Sequence, residues 1–478
     1  MATISSTGLG SGLDVNSIVT QLVALERKPI EQLQTEAGKL DARLSSFGRI
    51  QSALDALRTA SRSLTDTSTW QAASATSADP TAVGVSVSGG TPAGSYAVKV
   101  NTLAAAQLNA TSALASAGTT VGQGTLHIDI GRWASDLSGF TPKSGSTGVD
   151  IVIGPGEDTL EGIRDKINAT DDLGVRASIV NDASGARLVL QSTATGADNG
   201  FRVQVTDDDS DDTDNSGLSR LAYDPPGAAA VTTRTQAARN ATAEINGLAV
   251  ESSTNALDQV LDGVSLTLGK VTTGTVDVTV TRDTGSMRKS IDGFVSAYND
   301  LVKLLRDQTK FDPASKAAGP LQGDRTAIAL LGQMRLAFGG ESSASSAFTR
   351  ASDLGLSVQT DGTVKISSTK LDAGFAQLSQ LQAFFATSTD SSATNGLADR
   401  LRQLTDRLLG VDGAITSRQD GIRKLKTLNS DRQAALEDRV AATEARLRRQ
   451  YQTLDANMAR LNSLQNYVSQ QITNWNKA

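Results

Sequence analysis

The feature that most constrains this chain is a pair of apolar ladders, one close to each end of the sequence. In both ladders the steps alternate between three and four residues, which is the period of a helix seam buried against another helix. The sequence therefore predicts terminal helices that pack against each other or against copies of themselves. We predict oligomer or filament contacts at the following ladder positions: Leu33, Leu40, Phe47, Leu54, Leu447, Tyr451, Leu454, Met458, Leu461, Val468 and Ile472.

Packing within one chain explains an apolar helix face as well as an oligomer does. The last helix, expected over about 419–475, favours the intermolecular interpretation because it is far longer than the mean globular helix of about 11–12 residues. Gln51 and Gln465 fall at seam positions, where polar side chains weaken packing and set the register of a helix pair.

The composition excludes several classes of protein. The chain has 478 residues, more than one core usually holds, and only 4% are aromatic, which favours thin β-domains and solvated helices. It has no cysteine, which excludes disulfides and thiolate ligands. The net charge is −6 and no stripe of basic residues stands out, so nucleic acid is not an expected partner. No apolar run approaches the roughly 18–20 residues of a membrane span, and the first residues lack the pattern of a cleaved signal peptide.

The middle of the chain has a different apolar period from the ends. From residue 71 to residue 286 apolar residues alternate with polar ones, which predicts short, half-buried strands. Asn246-Gly247 predicts a two-residue hairpin turn, because both positions favour positive φ. A helical face with Phe294 and Tyr298 follows, and Asp361-Gly362 predicts a second hairpin.

Two short helices are expected inside the β region. A capping box of Asp158 and Glu161 predicts the first, and Leu257, Val260 and Leu261 predict the second. Together with the neighbouring strands, the two helices indicate a weak internal repeat at 149–180 and 243–268.

The predicted fold class is α+β and multidomain, with long terminal helices forming a helical leg or coiled coil and β-rich domains inserted between them. Ile18, Leu22 and Leu25 predict an early helix face, and Pro29 predicts its interruption. The expected domains are a conditionally disordered segment 1–32, a leg of 33–70 with 286–429, an inner β-domain of 71–108 with 239–285, an outer β-domain 109–238, and a C-terminal coiled-coil helix 430–478.

No residue pattern predicts catalysis or a cofactor, so an enzyme is not expected. The sole histidine, His127, lies on the strand face opposite its apolar neighbours and has no cysteine or second histidine with which to bind zinc. Alternating aspartates between Asp207 and Asp214 could gather around calcium, but Asp212 and Leu218 occupy the positions where an EF-hand has glycine and glutamate. A solvated loop is the favoured interpretation, and calcium binding stays open.

Several segments resemble one known family. Residues 8–14 (GLGSGLD), 18–23 (IVTQLV) and 26–30 (ERKPI) resemble the N-terminus of the flagellar filament cap family, the hook-associated protein 2 family. The segment 158–168 (DTLEGIRDKIN) resembles a repeat of flagellins and hook proteins. Further resemblance to the cap family lies at 245–247 (ING), 261–268 (LDGVSLTL), 294–299 (FVSAYN) and 321–324 (LQGD).

The resemblance implies a secreted homo-oligomer, usually a pentamer, at the distal tip of the bacterial flagellum. It implies that outer β-domains form a plate, that helical legs reach the filament, and that the cap promotes folding and polymerisation of exported flagellin. The implied partners are flagellin, the hook-filament junction protein and an export chaperone on the C-terminal helix. Export would use the flagellar type III apparatus without a cleaved signal peptide. The alternatives are an axial subunit, either flagellin or a junction protein, and a surface adhesin that binds host glycans.

Overall fold

The structure is a computed structural model that describes residues 14–227, 229–314, 316–391 and 393–476, without the side chains of 227, 229, 230, 259 and 475. It divides into two compact units. The helical unit comprises Met1–Trp70 and Gly285–Ala478, and the β unit comprises Gln71–Thr284. The α+β multidomain fold class, with β-rich sheets inserted between long terminal helices, is confirmed.

The helical unit contains the two long terminal helices and a set of shorter ones. Its helices are α1 Val15–Thr65, α2 Thr67–Trp70, α4 Thr284–Thr309, α5 Arg325–Gly339, α6 Ser368–Phe375, α7 Leu378–Ala386, α8 Leu397–Leu409 and α9 Ala414–Trp475, while α3 Leu160–Ala169 belongs to the β unit. Gly410 and Gly413 separate α8 from α9.

The predicted interruption at Pro29 is wrong, because α1 continues through it. Proline in a helix interior loses one hydrogen bond and crowds the preceding turn. The burial of Val23 before it and Ile30 after it offsets that cost through packing. Residues 1–13 lie outside the described residues, and the conditional ordering of 1–32 stays a prediction.

Aromatic side chains form the centre of the helical unit. Phe294 and Tyr298 of α4 lie against Phe338 of α5, with ring centroids 6.2 and 4.6 Å apart. Trp70 stacks on Phe385 at 5.9 Å and donates from Nε1 to the Leu64 carbonyl oxygen at 2.8 Å. The predicted apolar face of α4 is confirmed in this core. Two small hairpins complete the unit: β19 Phe311–Asp312 with β20 Ala317–Ala318, and β21 Leu356–Val358 with β22 Val364–Ile366.

The β unit has two apolar cores, each lined by its own sheets. The first core lies against a sheet in the order β1-β18-β3-β14-β15 and another in the order β16-β17-β2. These strands are β1 Ala73–Ser77, β2 Val83–Val87, β3 Gly94–Thr102, β14 Ala241–Ile245, β15 Leu248–Ser252, β16 Ala256–Leu261, β17 Val264–Leu268 and β18 Val276–Arg282.

The second core lies between α3 and two further sheets, in the orders β12-β11-β10-β5-β6, with β7 also on β5, and β13-β4-β9-β8. These strands are β4 Leu108–Ala110, β5 Gly124–Trp133, β6 Phe140–Pro142, β7 Val149–Ile153, β8 Val175–Asp182, β9 Gly185–Ser192, β10 Gly200–Asp207, β11 Tyr223–Asp224, β12 Ala229–Ala230 and β13 Thr233–Gln236. The two cores fall inside the predicted inner and outer β-domains, whose boundaries stay predictions.

Local predictions in the β unit had mixed outcomes. The Asn246-Gly247 turn is confirmed, with φ of 50° and 82° at its two residues. The helix predicted over 257–261 is wrong, because this segment is strand β16 paired with β17, and the repeat at 243–268 fails with it. A short apolar run does not distinguish strand from helix by periodicity alone. Helix α3 forms as expected, but Thr159, not Asp158, caps it by accepting from the Gly162 N–H.

Candidate assembly surfaces

The two terminal helices pack side by side and run in opposite directions. Gln419 donates to Gln51 at 3.0 Å, and Lys426 pairs with Asp41 at 2.6 Å. Further along, Arg448 donates to the Asn16 side-chain oxygen at 3.3 Å. Partners descend along α1 as they ascend along α9, so the pair is antiparallel and its contacts lie within one chain.

An apolar cluster joins the beginning of α1 to the middle of α9. Its buried members are Val15, Val19, Val23, Ile30 and Val440. The helix face predicted from the sequence, with Ile18, Leu22 and Leu25, is wrong because Leu22 and Leu25 are exposed. The steps from Val15 to Val19, Val23 and Ile30 are of four, four and seven residues, which is a helical period that could have identified the buried face.

The predicted ladder positions fall into two groups. Leu40, Phe47 and Leu54 are buried inside the helical unit, and Leu33 is half-buried. Leu447 and Tyr451 are half-buried against the apolar cluster. These six positions therefore contribute to packing within one chain.

The remaining ladder positions lie on a C-terminal overhang, which we define as residues 452–475. At 1.5 Å per residue this part of α9 is on the order of 36 Å long. In the described part of the chain, α1 begins at Val15, beside Tyr451, so α1 does not accompany the overhang. Along it, Leu454 is 43% exposed, Leu461 59%, Val468 46% and Ile472 53%, while Met458 is half-buried.

Such a row of exposed apolar side chains at seam spacing is suited to helix packing. Leu464 widens the row and is also exposed. When a partner covers the hydrophobic side of a helix, the complex is stabilised by about 25 cal/mol per Å² of apolar surface removed from water. The overhang is therefore the best candidate surface for assembly in the helical unit.

A charged cluster on α8 contacts the C-terminal end of α1. Asp399 of α8 is buried and accepts from Arg402 at 2.5 Å and from Gln403 at 2.7 Å. This contact with the Asp399 carboxylate raises the pKa of Arg402. Asp406 then links α8 to α1 by accepting from Arg62 at 3.3 Å. The end of α1 that lies away from the overhang is thus held to α8 by an ion pair.

The acidic run of the β unit forms a loop after β10. Asp207 is buried and accepts from the Ser219 N–H and hydroxyl at 2.8 and 2.9 Å. Asp209 and Asp211 each accept from a main-chain N–H two residues ahead. Among the described residues, no group of three or more acidic or histidine side chains is placed to hold a metal ion.

His127 lies on β5 between two carboxylates. Its Nδ1 is 2.5 Å from Asp150 Oδ1, and its Nε2 is 3.4 Å from Asp129 Oδ1. Asp129 is buried and also binds Arg202 through two nitrogens, at 2.6 and 3.0 Å. This arrangement is a network of polar contacts on the sheet surface, without a serine or threonine oxygen in contact with the imidazole among the described residues.

Comparisons with known proteins agree with this architecture. The sequence profiles "Flagellar hook-associated protein 2 N-terminus" and "C-terminus" match residues 11–107 and 238–463, and the "Flagellin hook IN motif" matches 144–194. B-type flagellar hook-associated protein 2 of Pseudomonas aeruginosa is 31% identical over 94% of each chain. The chain belongs to the flagellar hook-associated protein 2 family. The protein of the same name from Escherichia coli K12 is 31% identical over 99% of each chain.

A solved structure supports the same assignment to the hook-associated protein 2 family. The crystal structure of the flagellar cap protein FliD from Escherichia coli, domains D1-D2-D3, has a TM-score of 0.61 with 28% identity. It covers 79% of this chain and 99% of that one. The resemblance found in the sequence is thereby confirmed, and it places this chain in the family of the flagellar filament cap.

No helix within the described residues is long and apolar enough to cross a lipid bilayer.

Proposed function

We propose that this chain caps the flagellar filament. As an oligomer at the distal tip, with five copies as the expected number, it promotes folding and polymerisation of exported flagellin. It reaches that place through the flagellar export apparatus. The family supports the cap role, and the observation on the chain itself that carries the proposal is the exposed apolar row of the C-terminal overhang.

The overhang suits an arm that docks on other subunits. Its seam side chains, such as Leu461 and Ile472, are exposed in the single chain, while the root of the same helix is held against α1. A partner that covers this row gains apolar burial, and the arm needs no rearrangement of the helical unit to offer it. The filament end, made of flagellin and preceded by the hook-filament junction protein, is the partner we propose.

The same surface requires protection before assembly. An exposed apolar helix of this kind is a site for unwanted association. We propose that an export chaperone covers the C-terminal helix until the chain leaves the cell. Binding of the chaperone and of the filament would then be mutually exclusive, because both use Leu461 and its neighbours.

A complementation experiment tests the cap role. The chain is expressed in a flagellated host from which the gene for the host's own cap has been deleted. We expect filaments to be restored and unpolymerised flagellin to disappear from the medium. A chain that is exported but incorporated along the filament, as shown by gold labelling, would instead be an axial subunit and contradict the proposal.

A matched pair of variants tests the overhang. Leu461→Asp with Val468→Asp places two charges on the seam, and we expect filaments to be lost while the chain is still exported. Ser463→Asp with Gln470→Asp adds the same charges on the opposite face of the helix and should leave filaments intact. Equal loss in both variants would show that charge on the helix, and not the apolar row, causes the defect.

A further inference from the structure

A cleft rich in arginine opens at one end of strand β5. It has a volume of about 460 Å³, and its lining includes three arginines and one glutamate. We call it the arginine cleft, and its charged residues are Arg132, Arg234, Arg239 and Glu251. Guanidinium groups gathered in a cleft of a chain whose net charge is −6 make a local positive field, which favours a carboxylate-bearing partner.

The three arginines of the cleft differ in the ion pairs and hydrogen bonds that they make. Arg132 pairs with Asp198 at 2.7 Å, and Arg239 donates from Nε to the Leu103 carbonyl oxygen at 3.1 Å. Glu251 accepts a hydrogen bond from the side-chain amide of Asn240. Arg234, half-buried on β13, has no ion pair with any of the described residues. The cleft therefore keeps a positive charge that the described part of the chain does not neutralise.

The opposite end of the same sheet carries the opposite charge. Strands β5 and β10 pair so that Gly131 faces Gly200 beside the cleft, and Gly124 faces Asp207 where the acidic run begins. The two pairs are seven positions apart along the strand, which is about 23 Å at 3.3 Å per residue. Asp208, Asp209, Asp211 and Asp212 are exposed in the loop, and within the described residues their hydrogen bonds come from loop N–H and hydroxyl groups.

We propose that the arginine cleft of one copy of this chain binds the acidic loop of the next copy. The two patches lie at opposite ends of one sheet, so a single chain cannot join its own. Different, complementary patches on one molecule produce head-to-tail association, which closes into a ring when the rotation between copies allows it. The inference rests on the proposed cap function and adds to it a contact of the β unit, separate from the overhang.

Arg234 and Asp208 provide clean test positions, because neither side chain makes a hydrogen bond or ion pair that its replacement would remove from the described fold. Self-association of the purified full-length chain is measured by sedimentation velocity over a range of concentrations at low salt. Arg234→Glu and Asp208→Lys should each weaken it by about tenfold or more in dissociation constant, since each places like charges in contact. Arg176→Glu and Asp171→Lys are charge-matched controls elsewhere in the β unit and should associate like the parent.

Charge complementation then decides whether the two patches meet. A single chain with both changes should regain most of the lost association, because every contact then pairs opposite charges, and an equal mixture of Arg234→Glu and Asp208→Lys chains should regain part of it through contacts between unlike chains. Salt should weaken association of the parent chain, as expected for a contact between charged groups. The proposal would be overturned if the parent chain stays monomeric. It would also be overturned if combining the two charge reversals does not restore association.

The same experiment separates this contact from other occupants and from the cap function itself. Glucuronate that binds the parent but not Arg234→Glu, with self-association unchanged in both charge-reversal variants, would show that the cleft is a site for a free acidic sugar, against the proposal. The complementation experiment above reports the cap role independently. Restored filaments with unchanged self-association in both reversal variants would reject the cleft contact and retain the cap.

Discussion

Asn429 of α9 donates from Nδ2 to the main-chain carbonyl oxygen of Leu33 in α1, across 3.1 Å. Asn429 is buried, and Gln433 donates to its side-chain oxygen. A polar contact buried between two helices is satisfied at one register only, so it resists sliding of α9 along α1. The position of the C-terminal overhang relative to the helical unit depends on this register.

We expect Asn429→Ala to loosen the terminal helix pair. The change leaves Gln433 without its acceptor and removes a buried hydrogen bond, at a cost of about 1–3 kcal/mol. Hydrogen exchange should become faster in the first half of α1 and unchanged in the β unit. Gln452→Ala, an exposed change on the same helix, is the control, and equal exchange in both variants would contradict the role of Asn429.

The two groups of ladder leucines should respond to truncation in opposite ways. Leu40 is 3% exposed, and Leu40→Ala should lower the free energy of unfolding by about 2–5 kcal/mol. Leu461 is 59% exposed, and Leu461→Ala should change it by no more than about 0.5 kcal/mol. Denaturant unfolding of the purified chain measures both. A large loss with Leu461→Ala would mean that the overhang is packed in the single chain.

The ladders show what the sequence could and could not establish. Their period predicts helices and a buried seam, and Leu40, Phe47 and Leu54 are indeed buried. The period of the apolar residues in α9 does not show how far α1 extends along that helix. Which positions of α9 are covered depends on where α1 begins. The division at Tyr451, between packed and exposed ladder positions, required the antiparallel register of α1 and α9.

Two errors have the same physical origin. Leu22 and Leu25 are larger than Val19 and Val23, yet the valines are buried, because the face opposite Val440 is set by the register of the pair and not by residue size. The apolar pattern of segment 257–261 is compatible with either a helix or a strand. The segment forms a strand because it pairs with Val264–Leu268. Tertiary contacts outweigh local preference in both cases.

Substitution of glycine by alanine should have opposite effects on stability at two positions. Gly247 has φ of +82° in the hairpin turn, and Gly421 lies inside α9; a Cβ at either position would meet no atom within 4 Å. Gly247→Ala should therefore cost about 1–2 kcal/mol through backbone strain alone. Gly421→Ala should stabilise α9 by about 0.5–1 kcal/mol.

Thermal unfolding of the two glycine variants provides the measurement. The β unit should melt earlier in Gly247→Ala, and the helical unit should melt later in Gly421→Ala. Destabilisation by both changes would indicate side-chain crowding that the backbone argument does not include.

Tyr298 should make the stability of the helical unit fall in alkaline solution. Its ring is fully buried against Phe338, its hydroxyl has no hydrogen-bond partner within the described residues, and burial raises its pKa from 10.0 to about 12. Between these values the unfolded chain loses the phenolic proton while the folded chain keeps it. The unfolded state then binds fewer protons, so the free energy of unfolding decreases as pH rises.

Tyr298→Phe removes this proton and also an unsatisfied buried hydroxyl. We expect the variant to be as stable as the parent or more so at about pH 8, and to gain on the order of 2 kcal/mol relative to it at about pH 11.5. Denaturant unfolding at both pH values measures the difference, in which the titration of lysines cancels. Tyr467→Phe, at an exposed tyrosine of the overhang, should show no such gain. A parent and Tyr298→Phe chain that lose stability in parallel above about pH 10 would show that another group titrates there.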